Sequence, residues 1–296
     1  MATINEIKAA QVKKMLRERK SSSHKGDNGR VLLIGGSADY YGAPILAARA
    51  CLRAGADLVY LYVPECNYDV TRAACPDFIV MKYKGDCFGV KAAAEIVEFG
   101  KTCDAVLMGP GMGSLGSGAH VIDDSQEKVV DGCVEILNKL RLPTVLDSLA
   151  IFALKKVRKF PLEQDVLATP HHNEFSNLVD RDVRVSENDT QSVILLRSIA
   201  MDLHLNIVLK GEVDLIASDE GDVVKCRCGN AGMTVGGTGD VLAGIAAGLL
   251  AEGNDSFVSA RAAAWMCGDA GDRAFKKFGN GLMASDVVEE VRPGGK

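Results

Sequence analysis

The stretch GGTGD, Gly236 to Asp240, immediately precedes a long apolar run, VLAGIAAGLLA. Glycines ahead of a helix let backbone N–H groups close around an anion, and the first helical turn offers free donors and the positive end of the helix dipole. With Thr238 as the expected N-cap, Asp240 falls at the second helical position. An aspartate there either complements the dipole or acts as a base beside an anion hole made by Gly237, Thr238 and Gly239. Taken alone, the segment leaves both readings open.

Other polar or glycine-bearing stretches are GGSADYYGAP, GPGMGSLGSG, LDS, TPHHNE and KGEVD. No G-x-x-x-x-G-K-[ST] motif occurs, so the anion site is not a Walker-type loop. GMGSLG, Gly111 to Gly116, matches G-x-G-x-x-G after an expected strand. Asp131 lies at the right separation for a dinucleotide site, but it is followed by a helical pattern, and Pro110 disturbs the strand-to-helix entry. Glu174, opening a helix, reads on its own as a residue that complements the dipole.

The elements that must carry these residues alternate along the chain. Arg30–Gly36, Leu58–Pro64, Asp77–Tyr83, Asp104–Pro110, Pro143–Ser148, Asp165–Pro170 and Asn206–Gly211 read as strands, most of them continuous apolar runs of the kind covered on both faces. Helical patterns such as APILAARACLRAG lie between them, with a glycine C-cap. The expected fold is therefore α/β, a mainly parallel central sheet with helices on both faces. After Gly211, DLIASDE-GD-VVKCRC reads as a hairpin, followed by helices over Thr238–Glu252, Ser256–Lys277 and Ser285 to the end. No composition shift marks a linker, so residues 1–296 are expected to form one domain, with 1–23 as a helical extension. In such sheets ligands bind beyond the carboxyl ends of the strands, where the polar stretches fall.

A formal charge of −5 argues against a nucleic-acid or membrane-surface partner, while leaving room for an anionic small ligand in a locally positive pocket. The first 20 residues contain no apolar signal core, and no apolar run is long enough to cross a bilayer; a cytoplasmic protein is expected. The nine cysteines include no C-x-x-C pair and read as reduced, mostly buried thiols. The one close pair, Cys226 and Cys228, is expected to send its thiols to opposite or skewed faces of a strand.

Taken in order, HKGDNGRVLLIGGSADYYGAPILAARACLRAGADLVYLYVPE, MGPGMG, TVLDS, TPHHNEF, VLKGEVDLI and NAGMTVGGTGDVLAGIAAGLLA resemble the ATP- or ADP-dependent NAD(P)H-hydrate dehydratases, members of the ribokinase-like kinases. The resemblance runs from about His24 to the end. The family often carries an epimerase domain ahead of the dehydratase, and this chain is expected to lack one.

The resemblance implies a repair reaction. The hydroxyl of hydrated NADH or NADPH is phosphorylated by ADP or ATP, and loss of phosphate restores the double bond. It implies Asp240 as base and Gly237, Thr238 and Gly239 as anion hole. It places nucleotide on Lys210, Gly211, Glu212, Val213, Asp214, Asn230 and Gly239, and substrate on Ala43, Gly111, Gly113, His171 and Asp240. Glu174 would hold Mg²⁺ through water, and the assembly would be a homotetramer. A small-alcohol kinase sharing GGTGD is the alternative. The family usually reads close to LDADAL where this chain has LDSLAI, Leu146 to Ile151: Asp147 is kept and Leu149 replaces the second acid.

Overall fold

The computed structural model describes residues 4–113, 123–157 and 161–293. Its strands are β1 (Asn5–Glu6), β2 (Arg30–Ile34), β3 (Leu58–Pro64), β4 (Ile79–Tyr83), β5 (Ala105–Met108), β6 (Thr144–Leu146), β7 (Val166–Ala168), β8 (Asn206–Leu209), β9 (Asp214–Ala217) and β10 (Val223–Cys226). They form one sheet in the order β1-β10-β9-β8-β7-β6-β5-β2-β3-β4. The run from β8 to β4 is parallel throughout, β9 runs antiparallel between β8 and β10, and the expected hairpin is β9–β10.

The helices in chain order are α1 (Ala9–Met15), α2 (Gly42–Ala54), α3 (Tyr68–Ala74), α4 (Val90–Gly100), α5 (Asp124–Lys139) and α6 (Ala153–Lys156). They continue with α7 (His172–Leu178), α8 (Thr190–Asp202), α9 (Thr238–Ala251), α10 (Ser256–Phe278) and α11 (Ala284–Glu290). Strand alternation divides the core in two. Val31 and Leu33 of β2 join α2, α9, α10 and α11 on one face, while Leu32 and Ile34 join α4, α5, α7 and α8 on the other. The strands are apolar on both sides because both sides are covered.

The N-terminal stretch expected to be helical is only partly so. Asn5 and Glu6 pair with Val224 and Lys225, and the Ile7 N–H donates to the Lys225 carbonyl at 2.9 Å. An otherwise open sheet edge thereby recruits the chain as a strand, satisfying backbone groups that a helix would have left exposed there. After α1 the chain is extended, and the Arg17 N–H donates to Asn254 Oδ1 at 2.8 Å.

Apolar on all sides, α9 lies buried between the sheet, α2 and α10. Its approach to α2 depends on small residues: a Cβ on Gly244 would stand 2.3 Å from the Ala47 carbonyl oxygen, and one on Gly248 2.7 Å from that of Cys51. Gly244→Ala is therefore expected to destabilise the protein by about 1–3 kcal/mol, because helix backbone rather than a flexible side chain must yield. Chemical denaturation checks it; an unchanged midpoint would mean the helices separate freely.

Candidate active site

Three neighbouring parallel strands deliver three polar residues side by side. β6 ends at Leu146, β7 at Ala168 and β8 at Leu209, and the next residues are Asp147, Thr169 and Lys210. Asp147 Oδ1 accepts from the Thr169 hydroxyl at 2.6 Å and from Lys210 Nζ at 2.8 Å, with the Asp147 side chain only 5% exposed. Gly109, at φ 128°, permits this placement, since any Cβ there would overlap the Asp147 carbonyl oxygen.

Glu174 enters from the first turn of α7. Its Oε2 accepts from the His171 N–H at 2.8 Å and lies 4.0 Å from Lys210 Nζ. His171 caps α7, its Nδ1 accepting from the Asn173 and Glu174 N–H groups at 3.1 Å each. That acceptor role needs an unprotonated Nδ1, and burial together with the Lys210 charge lowers the His171 pKa in agreement. Nε2 is the ring nitrogen left for a ligand, 3.4 Å from Glu174 Oε1. His172 is half-buried, and its Nδ1 has no partner.

The N-cap of α9 is Gly237, at φ 104°, rather than Thr238. A left-handed backbone at this turn suits glycine and would strain threonine. Thr238 is the first helical residue, with its hydroxyl donated to the Met233 and Val235 carbonyls at 3.0 and 3.3 Å. Asp240 is therefore the third helical residue. The Val241 N–H is bonded back to Gly237 at 3.1 Å, while the N–H groups of the first helical residues have no acceptor within the helix.

The charges are unbalanced in a useful way. Burial, then the nearby Asp147 carboxylate, pushes Asp240 up to about 7, against the pull of Lys210. Burial also pushes Glu174 up to about 7. Burial disfavours the Lys210 charge, but Asp147, Glu174 and Asp240 outweigh it and hold the ammonium above the ordinary lysine value. Three carboxyls around one lysine leave a site short of positive charge.

Beside this cluster lies a cavity of about 770 Å³. Lys210 through Asp214, Asn230 and Gly239 all line it, so the residues expected at a nucleotide are brought together. The Gly211 N–H donates to Asp214 Oδ1 at 2.9 Å, and burial pushes Asp214 up to about 6. Asn230 is held by Asp272, donating Nδ2 to its Oδ1 at 2.8 Å. Met233, Leu242, Ala264 and Cys267 add an apolar wall that no motif announced.

Ala43, Gly111 and Gly113 stand apart from that cavity. A Cβ on Gly111 would lie 3.1 Å from that of Ala43, and Ser37 Oγ donates to the Gly113 carbonyl at 2.7 Å. Leu46, one turn beyond Ala43, abuts Gly237, so this shelf meets the start of α9 from the α2 side. The remainder of the G-x-G-x-x-G match, 114–116, lies outside the described residues. Tyr40 and Tyr41 are exposed.

Leu149, the departure in LDSLAI, is 6% exposed in the core below α5, whereas Asp147 is the member of that loop facing Lys210. Cys226 and Cys228 also differ from expectation: Cys226 belongs to the core on the α9–α10 side of the sheet, and Cys228 packs against that same cluster. Residues two apart on an extended chain face the same side, which the sequence reading reversed.

Among the described residues, no three acidic, histidine or cysteine side chains converge to bind a metal directly. Glu174 and Asp240 offer hard oxygen donors beside the cavity, a set that fits a hydrated Mg²⁺ better than a directly chelated ion.

A mainly parallel sheet whose strand ends meet a glycine-started helix at a ligand-sized cavity is a ribokinase-like arrangement, and solved structures agree. A ribokinase-like superfamily protein from Enterococcus faecalis superposes with a TM-score of 0.81 at 24% identity, covering 98% of this chain and 95% of that one. An ADP/ATP-dependent NAD(P)H-hydrate dehydratase from Bacillus subtilis, co-crystallized with ATP/Mg²⁺, gives 0.80 at 24% identity, covering 98% and 97%. The NAD(P)H-hydrate dehydratase family model matches residues 31–293, and the chain belongs to that family. It is 39% identical over 276 residues to a bifunctional NAD(P)H-hydrate repair enzyme of Methanothermobacter thermautotrophicus, covering 92% of this chain and 51% of that protein. It is 35% identical over 278 residues to an ADP-dependent (S)-NAD(P)H-hydrate dehydratase of Cenarchaeum symbiosum, covering 94% and 92%. The chain thus spans about half the length of the bifunctional relatives it matches.

Proposed function

We propose that this chain dehydrates hydrated NADH or NADPH, using ADP or ATP as phosphoryl donor. The observation that carries the reading is the position of Asp240: in the first turn of α9, close to neutrality in its pKa, between the cavity-lining Gly239 and Leu242 and within reach of the charges of Lys210, Asp147 and Glu174. Family membership and the names of the archaeal relatives support it.

The nucleotide lies in the cavity with its phosphates toward Lys210 and Gly239, and the flat ring of the hydrate rests on the shelf. Asp240 takes the proton of the ring hydroxyl as its oxygen attacks the terminal phosphorus, and the shortened nucleotide leaves. The N–H groups of Gly237, Thr238 and Gly239 stabilise charge building on the transferred phosphoryl oxygens. The C–O bond to phosphate then breaks as the neighbouring carbon loses a proton, giving inorganic phosphate and the reduced nicotinamide. Mg²⁺, held through water by Glu174, would supply the positive charge that the phosphates need and the carboxyl cluster lacks. Asp147 keeps the Lys210 ammonium aimed at the site.

A base must be deprotonated to act. With Asp240 raised to about 7, activity is expected to rise with pH through an acid limb near that value rather than near 4. A pH–rate profile checks this, and a flat profile from pH 5 upward would remove Asp240 as the titrating base.

The direct test is the absorbance of reduced nicotinamide on adding the protein to NADH hydrate and Mg²⁺, with ATP and ADP in parallel. A rise that requires nucleotide establishes the reaction and its donor. Nucleotide consumed with a small alcohol, and no rise with the hydrate, would point to a kinase instead. The same reading takes residues 1–296 as one catalytic domain acting in the cytoplasm, and by resemblance as a homotetramer; among the described residues, no helix is long and apolar enough to cross a membrane.

A further inference from the structure

β10 ends at Cys226, which pairs with Asp214 across the hairpin and is 1% exposed. Two residues on, Cys228 is half-buried and lines the 770 Å³ cavity. It is pressed against α10: a Cβ on Gly268 would stand 2.5 Å from the Cys228 carbonyl oxygen and 2.6 Å from its Cβ. Cys228 thus lies between the cavity and the core cluster that holds Cys226, so the pair spans from an open wall to the buried interior.

The two thiols are not equivalent. The neighbouring Cys226 thiol moves the Cys228 pKa down, against burial and the charges of Asp272, Asp269 and Glu6. Cys226 moves up, and so, through burial, do Cys51, Cys66, Cys75, Cys103, Cys133 and Cys267. A thiolate-leaning sulfur at an open wall, backed by a buried protonated thiol, is the arrangement of an attacking and a resolving cysteine.

We propose that Cys228 is a modification site on this cavity: hydroperoxides oxidise it, Cys226 resolves it to a disulfide, and a bound adenine nucleotide shields it. The shielding rests on the function proposed above; the thiol chemistry does not. The Cys228 sulfur attacks one peroxide oxygen, the O–O bond breaks, and a sulfenic acid and water form. The Cys226 sulfur then attacks the sulfenic sulfur, the S–O bond breaks, and the departing hydroxide takes the Cys226 proton as a second water. Two thiols lose two electrons and one peroxide is reduced. The disulfide shifts the Cys228–Asn230 wall, whose Gly229 N–H and Asn230 Nδ2 donate to Asp272 at 3.2 and 2.8 Å, so nucleotide affinity falls.

The reduced full chain is treated with hydrogen peroxide, with and without ADP or ATP, and digested with trypsin without reductant. Cleavage after Lys225 and Arg227 leaves Cys226–Arg227 attached to the Cys228 peptide only when the disulfide has formed. The linked species is expected with peroxide and should be about tenfold suppressed by nucleotide at ten times its Kd. Oxidised protein should bind nucleotide about tenfold more weakly in calorimetry, as for loss of one wall hydrogen bond, with recovery on adding dithiothreitol. Cys226→Ala should accumulate a dimedone-reactive sulfenic acid on Cys228. Oxidation of the exposed Cys66 and Cys87 without the linked species would overturn the proposal, as would nucleotide that binds without shielding. A linked species in protein that binds no adenine nucleotide supports the thiol pair and overturns the function proposed for the cavity.

Discussion

Asp240→Asn is expected to lower kcat by about 10²–10⁴, the usual loss when a positioned base is removed, while nucleotide affinity stays within a few-fold. The amide fills the same space at the third position of α9, so the start of that helix and the cavity keep their shape. Removing a carboxylate near bound phosphates takes away repulsion, so any change in affinity should be toward tighter binding. Stability provides a second readout. The folded Asp240 pKa, about 7, lies above its unfolded value of about 4, so the folded state resists its ionisation. The wild type therefore loses stability as pH rises from about 4 to 7, and the Asn variant should be the more stable above pH 7, with the difference vanishing below about pH 4. Stopped-flow turnover, calorimetry and denaturation at two pH values test all three. A kcat within threefold of wild type would end the base assignment.

Lys210→Met should affect both stability and function. Lys210 is the cation bonded to Asp147, whose side chain is 5% exposed, and it stands 4.0 Å from Glu174. Removing one partner of a buried pair costs about 3–5 kcal/mol because the other charge is left behind. Thr169 still donates to Asp147 and Lys210 is itself 20% exposed, so the lower end of that range is expected. The acid limb of the rate should move above 7, since Lys210 is what opposes the rise in the Asp240 and Glu174 pKa values. Loss of a charge-assisted bond to phosphate, about 1.5–3 kcal/mol, should weaken nucleotide binding roughly tenfold or more. Lys210→Arg should recover stability better than turnover, because a longer planar fork keeps the charge but misplaces it. A pH profile that stays in place in Lys210→Met would show that Asp240 and Glu174 do not sense this lysine.

Much of the architecture was legible because local patterns had no competitor. Continuous apolar runs such as Val31–Ile34 need cover on both faces, and Leu58–Pro64 was bounded to the residue. The glycines at 236, 237 and 239 before an apolar run marked the start of α9, although which residue capped it depended on a left-handed φ at Gly237 that composition does not reveal. Residues 1–23, expected as a helical extension, include a strand because Asn5 and Glu6 find a pairing partner more than two hundred residues away.

What the sequence by itself determined were the succession of strands and helices, the hairpin and the place of the glycine-rich turn that starts α9, all set by interactions among residues close in the chain. Tertiary structure alone decided the meeting of Asp147, Thr169 and Lys210, because three separate strands must lie parallel and end level before their next residues touch. The apolar wall of Met233, Leu242, Ala264 and Cys267 is likewise set by how α10 packs on α9, as is the near-neutral acidity of Asp240 by burial. Burial and long-range charge are properties of the assembled fold, and no local pattern encodes them.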